Sequence, residues 1–147
     1  TWILWSLDNM EVSLNSLVVR YQGKKIKIDI QKELSINPNK LDSQLREVPS
    51  SYYILCNLRD KYIRKRDTLA RQKDEAYSKA WVYYKDSNPS WNNDYVSNKA
   101  NTNNKYVSLY NRYLKSVEKA AKFIAICKAY ESKENIMRTL SANLRRQ

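Results

Sequence analysis

Ser51 to Lys85, SYYILCNLRDKYIRKRDTLARQKDEAYSKAWVYYK, contains neither Gly nor Pro, and Leu55, Tyr62, Leu69, Ala76 and Tyr83 recur in it every seven residues. With Leu58 and Ala80 they form one apolar stripe on a long helix, roughly 50 Å at about 1.5 Å per residue. Pro49, Ser50 and Ser51 read as its start, because a serine oxygen accepts from an otherwise orphaned amide of a first helical turn.

Downstream, Asp86 to Asn104 holds Asn88-Pro89 and seven asparagines, which reads as the loop that turns the chain around, with its second half able to be helical. A second long helix is expected from about Lys105 to Leu144. One stripe on it is Tyr106, Tyr110, Tyr113, Val117, Ala120, Ile124 and Cys127; a displaced one is Phe123, Ile126, Tyr130, Met137, Leu140 and Leu144. The first stripe packs on the preceding helix as an antiparallel hairpin. The second needs another partner, either a further copy of the chain or the N-terminal region, and self-association is the favoured expectation.

Upstream, Ile26, Ile28 and Ile30 alternate with Lys25, Lys27 and Asp29, the period of a half-buried strand. Gln22-Gly23, with the chain's only glycine, supplies a turn, so Val12 to Tyr21 and Lys24 to Ile30 read as a β-hairpin. Thr1 to Leu7 is either a third strand or an arm carrying Trp2 and Trp5. Ile36-Asn37-Pro38-Asn39 is a turn cluster between two segments, Gln31 to Leu34 and Lys40 to Arg46, each long enough for a helical turn or two. The predicted fold is mainly α: an N-terminal region over 1–48 with a small β-hairpin, then a long antiparallel helical hairpin over 49–147.

Across 147 residues there are 27 Lys and Arg, 15 Asp and Glu and no His, for a formal net charge of +12. Mean hydropathy is −0.77, which leaves little for a thick core. Such an excess attracts polyanions in a salt-dependent way, although an AT-rich codon usage also favours Lys, Asn, Tyr and Ile. Cys56 and Cys127 lie in apolar helical stretches without CxxC spacing, and read as buried thiols in a reducing compartment rather than as a disulfide or metal site. Thr1 to Leu7 is too short for a membrane span and lacks a signal peptide's basic region, so a cytoplasmic location is expected.

Catalysis finds little support: there is no His, no Gly-rich phosphate loop and no metal-ligand spacing, so neither enzyme activity nor a cofactor is expected. Asp74-Glu75 are helix neighbours that do not face each other, and read as charge balance on a solvated face. The basic run points elsewhere. Between Arg59 and Lys79 fall eight basic and four acidic residues, and Lys79-Ala80-Trp81-Val82-Tyr83-Tyr84-Lys85 mixes cations with rings. Cations neutralise phosphates and rings stack on unpaired bases, a combination suited to single strands. The candidate contacts are Lys61, Arg64, Lys65, Arg71, Lys73 and Lys79, with Trp81 and Tyr84; Lys122, Lys128, Arg145 and Arg146 extend the surface. Tyr83 and Trp81 have an alternative role in packing between helices. Phe123, Ile126, Tyr130, Met137, Leu140 and Leu144 are the candidate oligomerisation residues.

Residues 28 to 147 resemble the UvsY family of T4-type phage recombination mediators. The likeness begins with Ile28-Asp29-Ile30-Gln31-Lys32-Glu33-Leu34, Ile36 and Lys40-Leu41, similar to the family's short N-terminal helix and link. It continues with Ala76-Tyr77-Ser78-Lys79-Ala80-Trp81-Val82-Tyr83-Tyr84. Lys79, Ala80, Tyr83 and Tyr84 match a family DNA-binding signature in which Trp81 stands where an arginine is usual. The resemblance implies a nonenzymatic, ring-forming mediator that binds single-stranded DNA and works with a phage recombinase and a single-strand-binding protein in the host cytoplasm. About Ile124 to Leu144 would form the ring contact, and residues 1 to 27 extend beyond the family's usual start. The competing readings are a helical protein-interaction scaffold without nucleic-acid function, and attachment to anionic membrane through Trp2 and Trp5.

Overall fold

The structure, a computed structural model, describes residues 16–46 and 50–147. Among the described residues it is mainly α, with one two-stranded antiparallel sheet. In chain order the elements are β1 (Leu17–Tyr21), β2 (Lys24–Ile28), α1 (Ile30–Leu34), a 3₁₀ turn (Pro38–Lys40), α2 (Leu41–Arg46), α3 (Ser50–Ser87), α4 (Asn93–Asn101) and α5 (Asn104–Arg145). They form two compact units, one from the described residues up to Leu58 together with Phe123–Gln147, the other from Arg59–Lys122. This division differs from a boundary at 48/49, because the start of α3 and the last third of α5 pack with the N-terminal elements.

In the first unit, β1 and β2 pair in the register Leu17↔Ile28 to Tyr21↔Lys24. The turn uses positive φ at both Gln22 (51°) and Gly23 (77°), as a tight two-residue hairpin requires. Leu17, Val19 and Ile28 are buried while Val18, Arg20 and Lys27 face solvent, the alternation expected of a sheet with one covered face. The second strand stops at Ile28 rather than Ile30 because Asp29 caps a helix: its Oδ1 accepts from the Lys32 amide at 3.1 Å. Ile30 thereby becomes a buried helical residue. Asn37 caps the 3₁₀ turn in the same way, accepting from Asn39 at 3.0 Å. The proposed strand residues 12–15, the segment Thr1 to Leu7 and the helix-start residue Pro49 lie outside the described residues.

Ser51 does not cap α3. Its hydroxyl donates to Glu33 Oε2 at 2.5 Å, and the Tyr130 hydroxyl donates to the same oxygen. Lys133 Nζ donates to the Glu33 carbonyl. One carboxylate on α1 thus joins the start of α3 to the last third of α5. Around it Leu55, Leu58, Phe123, Ile126, Cys127, Tyr130 and Met137 are buried, and the Tyr52 and Tyr130 rings stack at 5.2 Å. Asn57 Nδ2 reaches the Tyr21 hydroxyl at 3.3 Å, tying the hairpin to α3.

This arrangement answers part of the stripe expected to contact a second copy. Phe123, Ile126, Tyr130 and Met137 are 0–5% exposed inside the first unit. Leu140 and Leu144 remain open at 39% and 56%, joined by Ile136 at 51% one turn earlier.

In the second unit, α3 and α5 run antiparallel, with Tyr77 against Tyr106, Lys73 over Tyr113, and Lys119 over Tyr62. Leu69, Ala76, Ala80, Val96, Ala100, Ser116 and Ala120 are buried. The expected loop contains a helix, α4, and its asparagines act as caps. Asn92 Oδ1 accepts from Tyr95 at 2.8 Å, and Asn103 Oδ1 accepts from the Lys105 and Tyr106 amides. Val96 and Ala100 bury the inner face of α4 completely.

Candidate nucleic-acid interface

The eight cations and four carboxylates between Arg59 and Lys79 divide into two groups. Asp60 holds Arg59 at 3.0 Å, Asp67 holds Arg66 at 2.9 Å, and Asp74 holds Lys73 at 2.8 Å. These pairs sit seven residues apart, so all three lie along the same flank of α3. Their cationic side chains are only 27%, 32% and 17% exposed, so each is half-buried beside the helix pair and neutralised by the next residue. Lys73 also lies 4.9 Å from the Tyr113 ring centroid, and the hydrogen bond to Asp74 holds its ammonium above the usual lysine range. Lys73 is therefore committed to the helix pair and is poorly placed for a phosphate.

Glu75 makes a loose pair with Arg71 at 3.9 Å, both side chains being well exposed. A solvated pair of this kind contributes little, about 0.3–0.5 kcal/mol, and gives way readily to another anion. Among the described residues, Lys61, Arg64, Lys65 and Lys79 make no ion pair, and all four are exposed. At about 100° per residue, Lys61, Lys65 and Lys79 fall within roughly 40° of one another, with Arg64 some 60° to one side. Lys61 to Lys79 spans about 27 Å of helix. Three of the four acidic residues therefore balance half-buried cations, while Glu75 lies on the outward face about 40° from Lys79, where it stands alone against Lys61, Arg64, Lys65, Arg71 and Lys79. Over Arg59–Lys122 as a whole there are fifteen Lys and Arg against seven Asp and Glu.

The rings at the end of α3 are placed differently from the sequence expectation. Trp81 donates from Nε1 to Ser97 Oγ on α4 at 3.1 Å and is half-buried. Tyr84 is half-buried, its hydroxyl accepting from Asn103 Nδ2 at 3.4 Å and its carbonyl from Asn88. Lys85 Nζ donates to the Trp91 carbonyl at 2.6 Å and closes the loop. Tyr83, in the heptad series and read as a packing residue, is 67% exposed, its ring edge-on to Tyr84 at 5.5 Å. The cause is the mismatch between 3.6 and 3.5 residues per turn, which rotates a strict heptad position by about 20° per repeat. From Tyr62 to Tyr83 the drift is about 60°, enough to turn the ring out of the helix pair and onto the row of Lys61, Lys65 and Lys79. Counting that drift along the heptads is the signal that would have singled out Tyr83.

Trp81 thus acts as a joint between α3 and α4. Trp81→Phe keeps most of the apolar ring but removes the donor to Ser97, and is expected to cost about 1 kcal/mol in urea unfolding of the protein. Lys122 and Lys128 are on α5, half-buried and exposed respectively, and Arg145 and Arg146 are exposed at its C-terminal end. Among the described residues, no group of three or more His, Cys, Asp or Glu is placed to hold a metal ion, and no helix is long and apolar enough to cross a membrane. No family model, curated protein or solved structure matches the chain.

Proposed function

We propose that this protein is a nonenzymatic recombination mediator of the UvsY type, which binds single-stranded DNA along α3 and helps to load a recombinase onto it. The observation that carries this reading is the division of charge on α3. Three carboxylates are spent on half-buried cations beside the helix pair, and Lys61, Arg64, Lys65 and Lys79 remain exposed, with only the loosely held Glu75 among them, on a face that ends at the exposed ring of Tyr83. A charge run that served only for solubility has no need of this segregation. Phosphates along a strand would replace counterions on the row, while Tyr83 offers a face to an unpaired base that a duplex keeps stacked.

A partner recombinase and a single-strand-binding protein belong to the same proposal and rest on the resemblance. So does self-association, for which Ile136, Leu140 and Leu144 offer an exposed apolar surface on the last third of α5. Several weak strand sites in one particle bind by avidity, so affinity need not reside in any one chain. Leu140→Glu with Leu144→Glu should lower the particle mass in sedimentation velocity; an unchanged mass removes this surface from the reading.

Fluorescence anisotropy of labelled single-stranded and duplex DNA of equal length, at low and near-physiological salt, tests the function directly. Tighter binding to the single strand, weakening with salt, is expected. Tyr83→Ala should lower single-strand affinity by about 1–3 kcal/mol per stacked base and leave duplex affinity nearly unchanged. Absence of binding even at low salt would leave a protein-interaction scaffold as the better description.

A further inference from the structure

Cys56 on α3 and Cys127 on α5 are 71 residues apart in the chain, yet their sulfur atoms lie 3.8 Å from each other in the first unit, and they are not disulfide-bonded. Neither spacing nor composition suggested that they meet. Disulfide formation requires the sulfurs to approach to about 2.0 Å, a movement within reach of small χ1 rotations when the two side chains already face each other. Cys127 is completely buried and Cys56 is half-buried at the surface of the same core.

We propose that Cys56 and Cys127 form a redox modification site: an oxidising low-molecular-weight disulfide converts them into an intramolecular bond that clamps the start of α3 to α5. The difference in exposure sets the order of events. The Cys56 thiolate, the more accessible of the two, attacks one sulfur of oxidised glutathione, forming a mixed disulfide and releasing one glutathione thiolate. The Cys127 sulfur then attacks the Cys56 sulfur, and its proton passes to the second glutathione as that leaves as a thiol. Two protein thiols are oxidised, one glutathione disulfide is reduced to two thiols, and no other reactant is needed. Attack on the Cys56 sulfur is intramolecular and starts from 3.8 Å, so the mixed disulfide is short-lived.

The bond would close a long loop, the case in which a crosslink most restricts the unfolded chain. It lies within the first unit, whereas the exposed cationic row belongs to the second. The modification is therefore a stabilising clamp and not a block of that row, and it stands independently of the DNA-binding reading.

The test uses the intact protein incubated with oxidised glutathione at mildly alkaline pH, then mass spectrometry without reductant. The expected product is monomeric, lighter than the reduced protein by two hydrogens, and restored by dithiothreitol. Its thermal midpoint should rise, on the order of 10 °C. Peptide mapping should recover the segments containing Cys56 and Cys127 joined. Cys127→Ser should instead stop at one stable glutathione on Cys56. Stable addition of glutathione to both thiols of the natural protein, disulfides only between molecules, or no change after prolonged incubation would each overturn the proposal, and all are read on the unmutated chain.

Discussion

Replacing Lys61, Arg64, Lys65 and Lys79 together by alanine is expected to lower single-strand affinity by a few hundred-fold near 0.1 M salt. On single strands each neutralised phosphate contributes about 0.7 to the slope of log affinity against log salt. Removing four cations that each neutralise one phosphate flattens that slope by about 2.8, and costs about 0.7 decade of affinity per cation at 0.1 M. Folding should be unaffected: the four side chains are exposed, make no ion pair among the described residues, and alanine is the strongest helix former. The informative control is Arg66→Ala with Asp67→Ala, which leaves net charge unchanged and removes a pair already neutralised on the packed flank. It should change the slope hardly at all. Anisotropy titrations across a salt series read both. An equal loss in the control and in the quadruple variant would mean that general charge, and not the outward row, binds the strand.

Glu33→Ala should destabilise the first unit by about 2–5 kcal/mol. The substitution strands the Ser51 and Tyr130 hydroxyls, both on buried residues, and each unsatisfied group costs roughly 1–3 kcal/mol. Tyr130→Phe alone should cost less, since Ser51 still donates to Glu33. The double variant Glu33→Ala, Tyr130→Phe should cost less than the two single losses summed, because it removes an acceptor and a donor that served each other. Urea unfolding followed by far-ultraviolet circular dichroism measures all three. Additive losses would show that Glu33 and Tyr130 act independently.

The same cluster governs alkaline stability. Burial pushes the Tyr52 phenol up to about 12, and Tyr130 is raised too, by burial first and then by its hydrogen bond to Glu33. An unfolded phenol ionises near pH 10, so these groups contribute stability fully below about pH 10, and it is lost as pH climbs toward 12 and beyond. Lys133 works in the opposite sense. Burial lowers its ammonium, so the folded state is penalised while it is charged, and the penalty lifts as pH rises toward the ordinary lysine range. Net stability should therefore fall only once the tyrosines take over, and Tyr130→Phe should flatten that decline.

The long helices were legible because an uninterrupted run without Gly or Pro and a sustained apolar stripe leave few alternatives, and Ser51 to Lys85 meets both conditions. The hairpin turn was legible from Gln22-Gly23 for a similar reason. What pattern could not convey was who packs against whom. Phe123, Ile126, Tyr130 and Met137 carry the same periodicity whether a second chain or residues 17–34 cover them. The proximity of Cys56 and Cys127 depends on the register between two helices, which apolar spacing constrains only to within a turn. At the candidate interface, the excess of cations was visible, but its segregation was not. The dipeptides Arg59-Asp60, Arg66-Asp67 and Lys73-Asp74 show their common role only when the half-burial of each cation is known. Lys73, Trp81 and Tyr84 have structural partners for that reason, while Tyr83 emerges as the exposed ring.

The composition of the first unit from both chain ends has a consequence for the order of assembly. Residues 59–122 are contiguous, and their hairpin closes over a short connection, so it can form as soon as that segment has left the ribosome. The carboxylate of Glu33 has to wait for Tyr130 and Lys133, about one hundred residues later in synthesis. At roughly 5–20 residues per second this leaves α1 without its partners on α5 for about 5–20 s. Through that interval the first unit lacks Phe123, Ile126, Tyr130 and Met137, which makes the nascent chain, rather than the finished protein, the species with most to gain from a chaperone.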